Sequence, residues 1–264
     1  MTGATESALL TAVERSPEAA AVHDRQGWVG LFTTDGRVED PVGSRPHTGP
    51  TEIGRFYDTF IGPRDIAFHR DLDVVRGSSA IRDLALEVAM GSTVTMTIPA
   101  VLRYDLRQVD GEWKIALLRA YWELPAMVLQ FLGNGVSALP AGVQLSQALI
   151  RNQRLRGTGG FLAGFRRVGS RQKTLVDTFV NAVGRGDRFG AREALSSGVT
   201  MTFGDDEVAD LGDLIERCSG ATTTKLIAAG PTVAASVASA SHRGVLFADV
   251  TRGSGIARVR YFPQ

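Results

Sequence analysis

From about residue 65 the chain is read with a period of two, and it keeps that period long enough to decide a fold class. Four apolar-alternating runs follow one another, Ile66 to Val75, Ala80 to Met90, Thr93 to Arg107 and Trp113 to Glu123. Alternation of this length puts every second side chain on one face of a strand. Asp110-Gly111 is a hairpin-turn dipeptide, and Gly77 and Gly91 mark the other turns. The runs therefore form an antiparallel sheet. Met96, Ile98, Ala100 and Leu102 share a face of the third strand, and Leu84, Leu86 and Val88 share one on its neighbour. Those faces are expected to line an apolar interior.

Helical spacing precedes the sheet. Glu6 to Arg15 has apolar residues at helical intervals, and Ser16-Pro17-Glu18 has the composition of a helix start, with a cap, a proline in the first turn and an acid at the positive end. That second helix is expected to run to about Phe32 and to bury Ala21, Trp28 and Leu31. A turn at Thr34-Asp35-Gly36, a strand from Arg37 and a third helix from Thr51 to Phe60 complete the pattern. Three helices laid on a curved antiparallel sheet make an α+β fold.

The chemistry concentrates in Arg37-Val38-Glu39-Asp40-Pro41-Val42-Gly43. Alternation puts Val38 and Asp40 on the same side, so Asp40 points where its neighbours are apolar. Burial there disfavours the carboxylate, raises its pKa and makes it a better base near neutral pH. The same residues also suit a turn in which the Asp simply caps the chain ahead of proline.

Val38-Glu39-Asp40-Pro41, the turn at Gly43, His47 to Gly49, Ile53 to Tyr57 and Ala120-Tyr121-Trp122 resemble the bacterial ketosteroid isomerases. These belong to the cone-shaped superfamily shared with nuclear transport factor 2, polyketide cyclases of the SnoaL kind and scytalone dehydratase. The resemblance covers the chain to about residue 125. It implies a cone-shaped domain with Asp40 as a proton-transferring base, Tyr57 in a supporting hydrogen-bond network, and Phe56 and Trp122 in the apolar wall. The oxyanion donors of that family do not carry over. No tyrosine lies on the first helix, where Ser16 falls at the matching spacing, and Ala100 stands where a protonated acid is expected. Ser16, Thr95, Thr97 and the Trp122 indole are the replacements available, although alternation turns Thr95 and Thr97 away from Ile98.

The expected ligand is small and apolar, steroid- or polyketide-like, within a wall of Trp28, Phe32, Phe56, Leu84, Leu86, Val88, Met96, Ile98, Ala100, Leu118 and Trp122. Three functions fit. Asp40 moves a proton in an isomerase or cyclase reaction; or it orients the ligand of a non-catalytic binding or carrier protein; or it joins a second carboxylate, Asp65 or Asp71, to activate water against an epoxide.

Composition bounds the rest. With 264 residues of which 44% are hydrophobic, the chain can bury one large core or two small ones. A net charge of +1 argues against a polyanion-binding surface, so no nucleic-acid partner is expected, and no apolar run reaches membrane-spanning length. The polar start without a signal pattern and the lone Cys218 lead to a cytoplasmic expectation. His23, His47, His69 and His242 lack ligand spacing, so neither metal nor other cofactor is expected.

Residues 126–170 are expected to form a helical basic connector. From 126 to 173 the chain carries Arg151, Arg154, Arg156, Arg166, Arg167, Arg171 and Lys173 and no acid. Such a segment suits an anionic membrane, a phosphate-bearing ligand such as a coenzyme A thioester, or a strap across the cone with its basic side in water. Residues 171–264 then repeat the plan of residues 1–125: helix Gln172 to Val183, a short helix after Arg185-Gly186-Asp187, strand Val199 to Phe203, helix Asp210 to Cys218, and strands from Thr222 to Phe262. Ile256-Ala257-Arg258-Val259-Arg260 echoes Ile115-Ala116-Leu117-Leu118-Arg119. Two tandem cone domains packed as an intramolecular pseudo-dimer follow, the second degenerate because Thr202-Phe203-Gly204 replaces Asp-Pro.

Overall fold

The computed structural model describes residues 3–90, 94–123, 125, 127, 169–251, 253 and 255–264. The expected helical connector lies almost wholly outside these residues.

The first unit runs α1 (Gly3–Ala21), α2 (Arg25–Gly30), β1 (Phe32–Glu39), β2 (His47–Thr48), α3 (Gly49–Phe56), a π-helical turn (Tyr57–Ile61), β3 (Asp65–Arg76), β4 (Ser79–Met90), β5 (Val94–Val109) and β6 (Glu112–Tyr121). Its sheet has the order β2-β1-β6-β5-β4-β3. Only β1 and β6 run parallel; the other neighbours are antiparallel. The four long strands lie within about two residues of their expected ends. Asp110 and Gly111 take φ of 52° and 82°, the positive values a tight hairpin turn requires.

Two expectations about the helices need correction. Ser16-Pro17 does not begin a second helix, because α1 continues through Pro17 to Ala21. The Ser16 hydroxyl is not a cap: it accepts the indole N–H of Trp28 at 3.1 Å. Burial of Leu9, Val13 and Ala20 in the core holds the helix together past the hydrogen bond that proline removes. The second helix is instead the short α2, started by His23 in the left-handed region (φ 54°) and by Asp24, whose carboxylate accepts Gly27 N–H at 2.8 Å. The expected turn at Thr34 to Gly36 lies inside β1, as an irregularity in its pairing with β6 between Phe32 and Arg37.

The second unit repeats this order: α4 (Ser170–Gly184), α5 (Arg188–Glu193), β7 (Leu195–Phe203), β8 (Glu207–Ala209), α6 (Leu211–Arg217), β9 (Thr222–Ala229), β10 (Thr232–Ala238), β11 (Arg243–Thr251) and β12 (Gly255–Pro263). Its sheet order, β8-β7-β12-β11-β10-β9, copies the first, including a parallel pair of its first long strand with its last. Asp187 caps α5 through Gly190 N–H at 2.9 Å as Asp24 caps α2, so Asp-Arg-x-Gly recurs at the same place in each unit. The fold is α+β, with two tandem units.

Each unit has its own core between helices and sheet. A third apolar cluster joins them: Val42, Leu72, Val74, Ile81, Val101 and Tyr121 of the first meet Ile227, Ala229, Ala234, Val245, Phe247 and Phe262 of the second. The inner face of the first sheet therefore carries its own core and the outer face carries its neighbour. Tyr121 packs on Phe247 with ring centroids 4.8 Å apart. Arg103 bonds Asp205 at 2.7 Å across the junction, and Lys225 reaches the wholly buried Asp83 and the Leu84 carbonyl.

Candidate functional site

Pairing on the inner face lays side chains in rows. Ile66, Val88 and Met96 form one row across β3, β4 and β5, and Phe68, Leu86 and Ile98 form the next. Farther along, Tyr104, Leu118 and Val38 form a row across β5, β6 and β1. Asp40 comes two residues after Val38, beyond the end of β1, where a cis Asp40–Pro41 bond and Gly43 (φ 95°) turn the chain away. Val42 N–H then donates to the Ala120 carbonyl at 2.8 Å, which ties the turn back onto β6.

The rows and helices enclose a cavity of about 130 Å³. Of the expected wall, Trp28, Phe56, Leu86, Val88, Met96, Ile98, Leu118 and Trp122 line it together with Asp40. Leu84, Ala100 and Phe32 lie in the core around it but are not in its wall, Phe32 with its ring 4.9 Å from Trp28. Tyr57 is buried beside Trp28, off the cavity, and its hydroxyl has no hydrogen-bond partner among the described residues.

Asp40 is the only carboxylate in the wall among the described residues. It is half-buried, and the Trp122 indole N–H donates to its Oδ1 at 2.6 Å. Burial raises its pKa to about 6, against the smaller, opposite pull of the indole bond. The carboxyl thus changes charge near neutral pH, with one oxygen held and the other available to a ligand. Neither acid named for an epoxide-opening pair comes near it. The side chain of Asp65 is 85% exposed and bonded to His23, and that of Asp71 is 56% exposed and bonded to Arg243. They stand on the outer faces of β3, so the pairing is not formed.

Three polar groups share the wall with Asp40: Ser16, Tyr104 and Arg64. Ser16 was expected as a replacement donor, while Thr95 and Thr97 are exposed on the other face, as alternation requires. Ser16 accepts from Trp28 and shares the cavity wall with Tyr104. Burial pushes the Tyr104 phenol up to about 12, so it stays protonated and can donate. Tyr104 was missed, yet its signal was present: it is the next residue in the alternating set Met96, Ile98, Ala100, Leu102. No periodicity points to Arg64, because its place follows from the π-helical turn. That turn, closed by Gly62 N–H on Tyr57 O at 2.9 Å, ends in carbonyls that Arg64 Nη1 satisfies at Thr59 (2.7 Å) and Phe60 (2.8 Å).

Residues 9–130 match the family model described as the nuclear transport factor 2 (NTF2) domain. The first unit is NTF2-like. With the repeated sheet order, the chain is two tandem NTF2-like domains. Among solved structures it is similar to RV0760c of Mycobacterium tuberculosis, with 26% identity over 45% of this chain and 93% of that one and a TM-score of 0.41. It is similar to the Delta 5-3-ketosteroid isomerase of a Mycobacterium species at 28% identity, covering 45% and 95% of the two chains with a TM-score of 0.40. An LEH-like epoxide hydrolase of Mycobacterium tuberculosis matches at 16% identity, covering 51% and 96%, with a TM-score of 0.42. The second NTF2-like domain has no counterpart of Asp40. Matching Val38↔Leu118 to Met201↔Val259 puts Phe203 at that position, buried in the domain's own core.

Proposed function

We propose that the first domain binds a small apolar ketone of the steroid or polyketide kind and that Asp40 is the general base that moves a proton on a carbon next to its carbonyl. The observation that supports this most is the lone carboxyl in an apolar cavity, half-charged near pH 6 and oriented by an indole N–H. A base of that pKa takes a carbon-bound proton at neutral pH and returns it without a large driving-force penalty. The enolate oxygen formed meanwhile needs donors. Ser16 and Tyr104 supply hydroxyls in the same wall, and the Tyr104 phenol, which burial keeps protonated at neutral pH, can donate to the ligand beside Ser16, itself held by the Trp28 N–H. The second domain covers the outer face of the sheet and takes no part in the chemistry.

The test is isomerisation of a β,γ-unsaturated ketone, such as a 3-oxo-Δ5 steroid, followed by the absorbance of the conjugated product. Asp40→Asn is expected to lower the rate about 10²- to 10⁴-fold while leaving ligand affinity within a few-fold. The wild-type rate is expected to rise with pH through about 6 and then level, since the base must be ionised. Equal binding by both proteins with no turnover and no α-proton exchange in either would establish the non-catalytic binding reading instead.

A further inference from the structure

Among the described residues, the buried guanidinium groups other than that of Arg64 come with carboxylates. Arg82 is held by Asp73 and Glu14, Arg103 by Asp105 and Asp205, and Arg260 by Asp249. For Arg82 and Arg103 those acids outweigh the cost of burial and raise the pKa. Arg64 is the exception. It is half-buried in the cavity wall, its bonds are to the Thr59 and Phe60 carbonyls, and both are made by Nη1. Burial lowers its pKa to about 10 with no acid offsetting the loss of water.

The missing acid is not hidden elsewhere in the chain. Residues 126–173 contain no Asp or Glu, and the other positions outside the described residues are not acidic either. Every carboxylate side chain of the protein is therefore described, and among these residues none pairs with Arg64. A guanidinium whose Nε and Nη2 have no partner among the described residues, beside an apolar cavity, is arranged to receive something flat and negative.

We infer that Arg64 is a ligand-binding residue and that the molecule this cavity takes is an apolar carboxylic acid, its carboxylate seated on the free edge of the Arg64 guanidinium. This rests on the cavity being a ligand site and narrows the substrate class proposed above: an apolar body, a carboxylate at the π-helical turn, and the reacting carbon near Asp40. Ionised Asp40 shares the cavity and opposes a second anion, so the cation at Arg64 is what makes an acidic ligand tolerable there.

The experiment uses the full chain at pH 7.5 and calorimetric titration with 2-naphthylacetic acid, its methyl ester and 2-naphthol. The acid is expected to bind at least ten-fold tighter than the ester. Arg64→Gln is expected to abolish that preference and to leave 2-naphthol affinity within about two-fold; Arg64→Lys, which keeps charge without the fork, is expected to retain part of it. Retained 2-naphthol binding by each variant shows that the cavity still forms. Equal binding of acid and ester by the wild type, or an acid preference that survives Arg64→Gln, overturns the inference. Asp40→Asn separates the two readings, since it is expected to remove proton transfer and to keep the preference for the acid.

Discussion

At the scale of single residues, Asp40 ties stability to pH in the range just below neutral. Its folded-state pKa is raised from 3.8 to about 6, so between those values the unfolded chain gives up its proton first. Stability is therefore greatest below about pH 4 for this group and falls as pH rises through about 6, by up to about 3 kcal/mol. Asp40→Asn is expected to melt higher than the wild type at pH 8 and to lose that advantage by pH 4, measured by thermal unfolding at each pH. The Trp122 indole bond works the other way and holds the pKa down. Removing it in Trp122→Phe is expected to move the inflection of the pH–rate profile above about 6, which pH-dependent kinetics would read directly.

At the scale of elements, the two short capped helices show how little sequence is needed to place a segment. In each unit an Asp accepts the N–H of a glycine three residues on, and a Cβ there would lie 2.1 Å from Asp24 Oδ2 or 2.4 Å from Asp187 Oδ2, so the capping carboxylate would have to shift to admit one. Loss of such a cap costs about 1 kcal/mol. Asp24→Ala and Asp187→Ala are each expected to lower the urea midpoint by a corresponding amount without changing the slope. Only Asp24→Ala is also expected to weaken ligand binding, because α2 carries Trp28 into the cavity wall. The helix ends were poorly legible by comparison. Pro17 reads as a helix start on its own, yet tertiary burial on both sides of it keeps α1 whole.

At the scale of the whole molecule, the junction between the domains is a second buried surface built on the back of the first sheet. Lys225 enters it to meet Asp83, which is 0% exposed, and a charge so placed is costly without its partner. Lys225→Met is expected to destabilise the protein by about 3–5 kcal/mol, and the double variant Lys225→Met with Asp83→Leu is expected to recover most of that, as denaturant unfolding of the pair would show. Residues 1–125 produced alone would expose Leu72, Val74, Ile81, Val101 and Tyr121, and are expected to self-associate in sedimentation velocity.

Periodicity and turn residues were enough to foresee the four long strands, the turns at Gly77 and Asp110-Gly111 and the face that lines the cavity, because a buried face leaves a period-two trace; the turn expected at Gly91 lies outside the described residues. Asp40 was legible for the same reason, being in step with Val38 and followed by a proline that ends the strand. The repeat of the second domain was legible through the echo of Ile115 to Arg119 in Ile256 to Arg260. What pattern could not decide was which buried residue touches the cavity and which merely touches its neighbour: Leu84, Ala100 and Tyr57 are all core residues, but the wall passes them by. Nor could it find Arg64, whose meaning lies in an absence, the acid that every other part of the chain fails to bring to it. Alternation reports which side of a strand a residue is on; distance across a sheet, and the want of a counter-charge, exist only once the chain has folded.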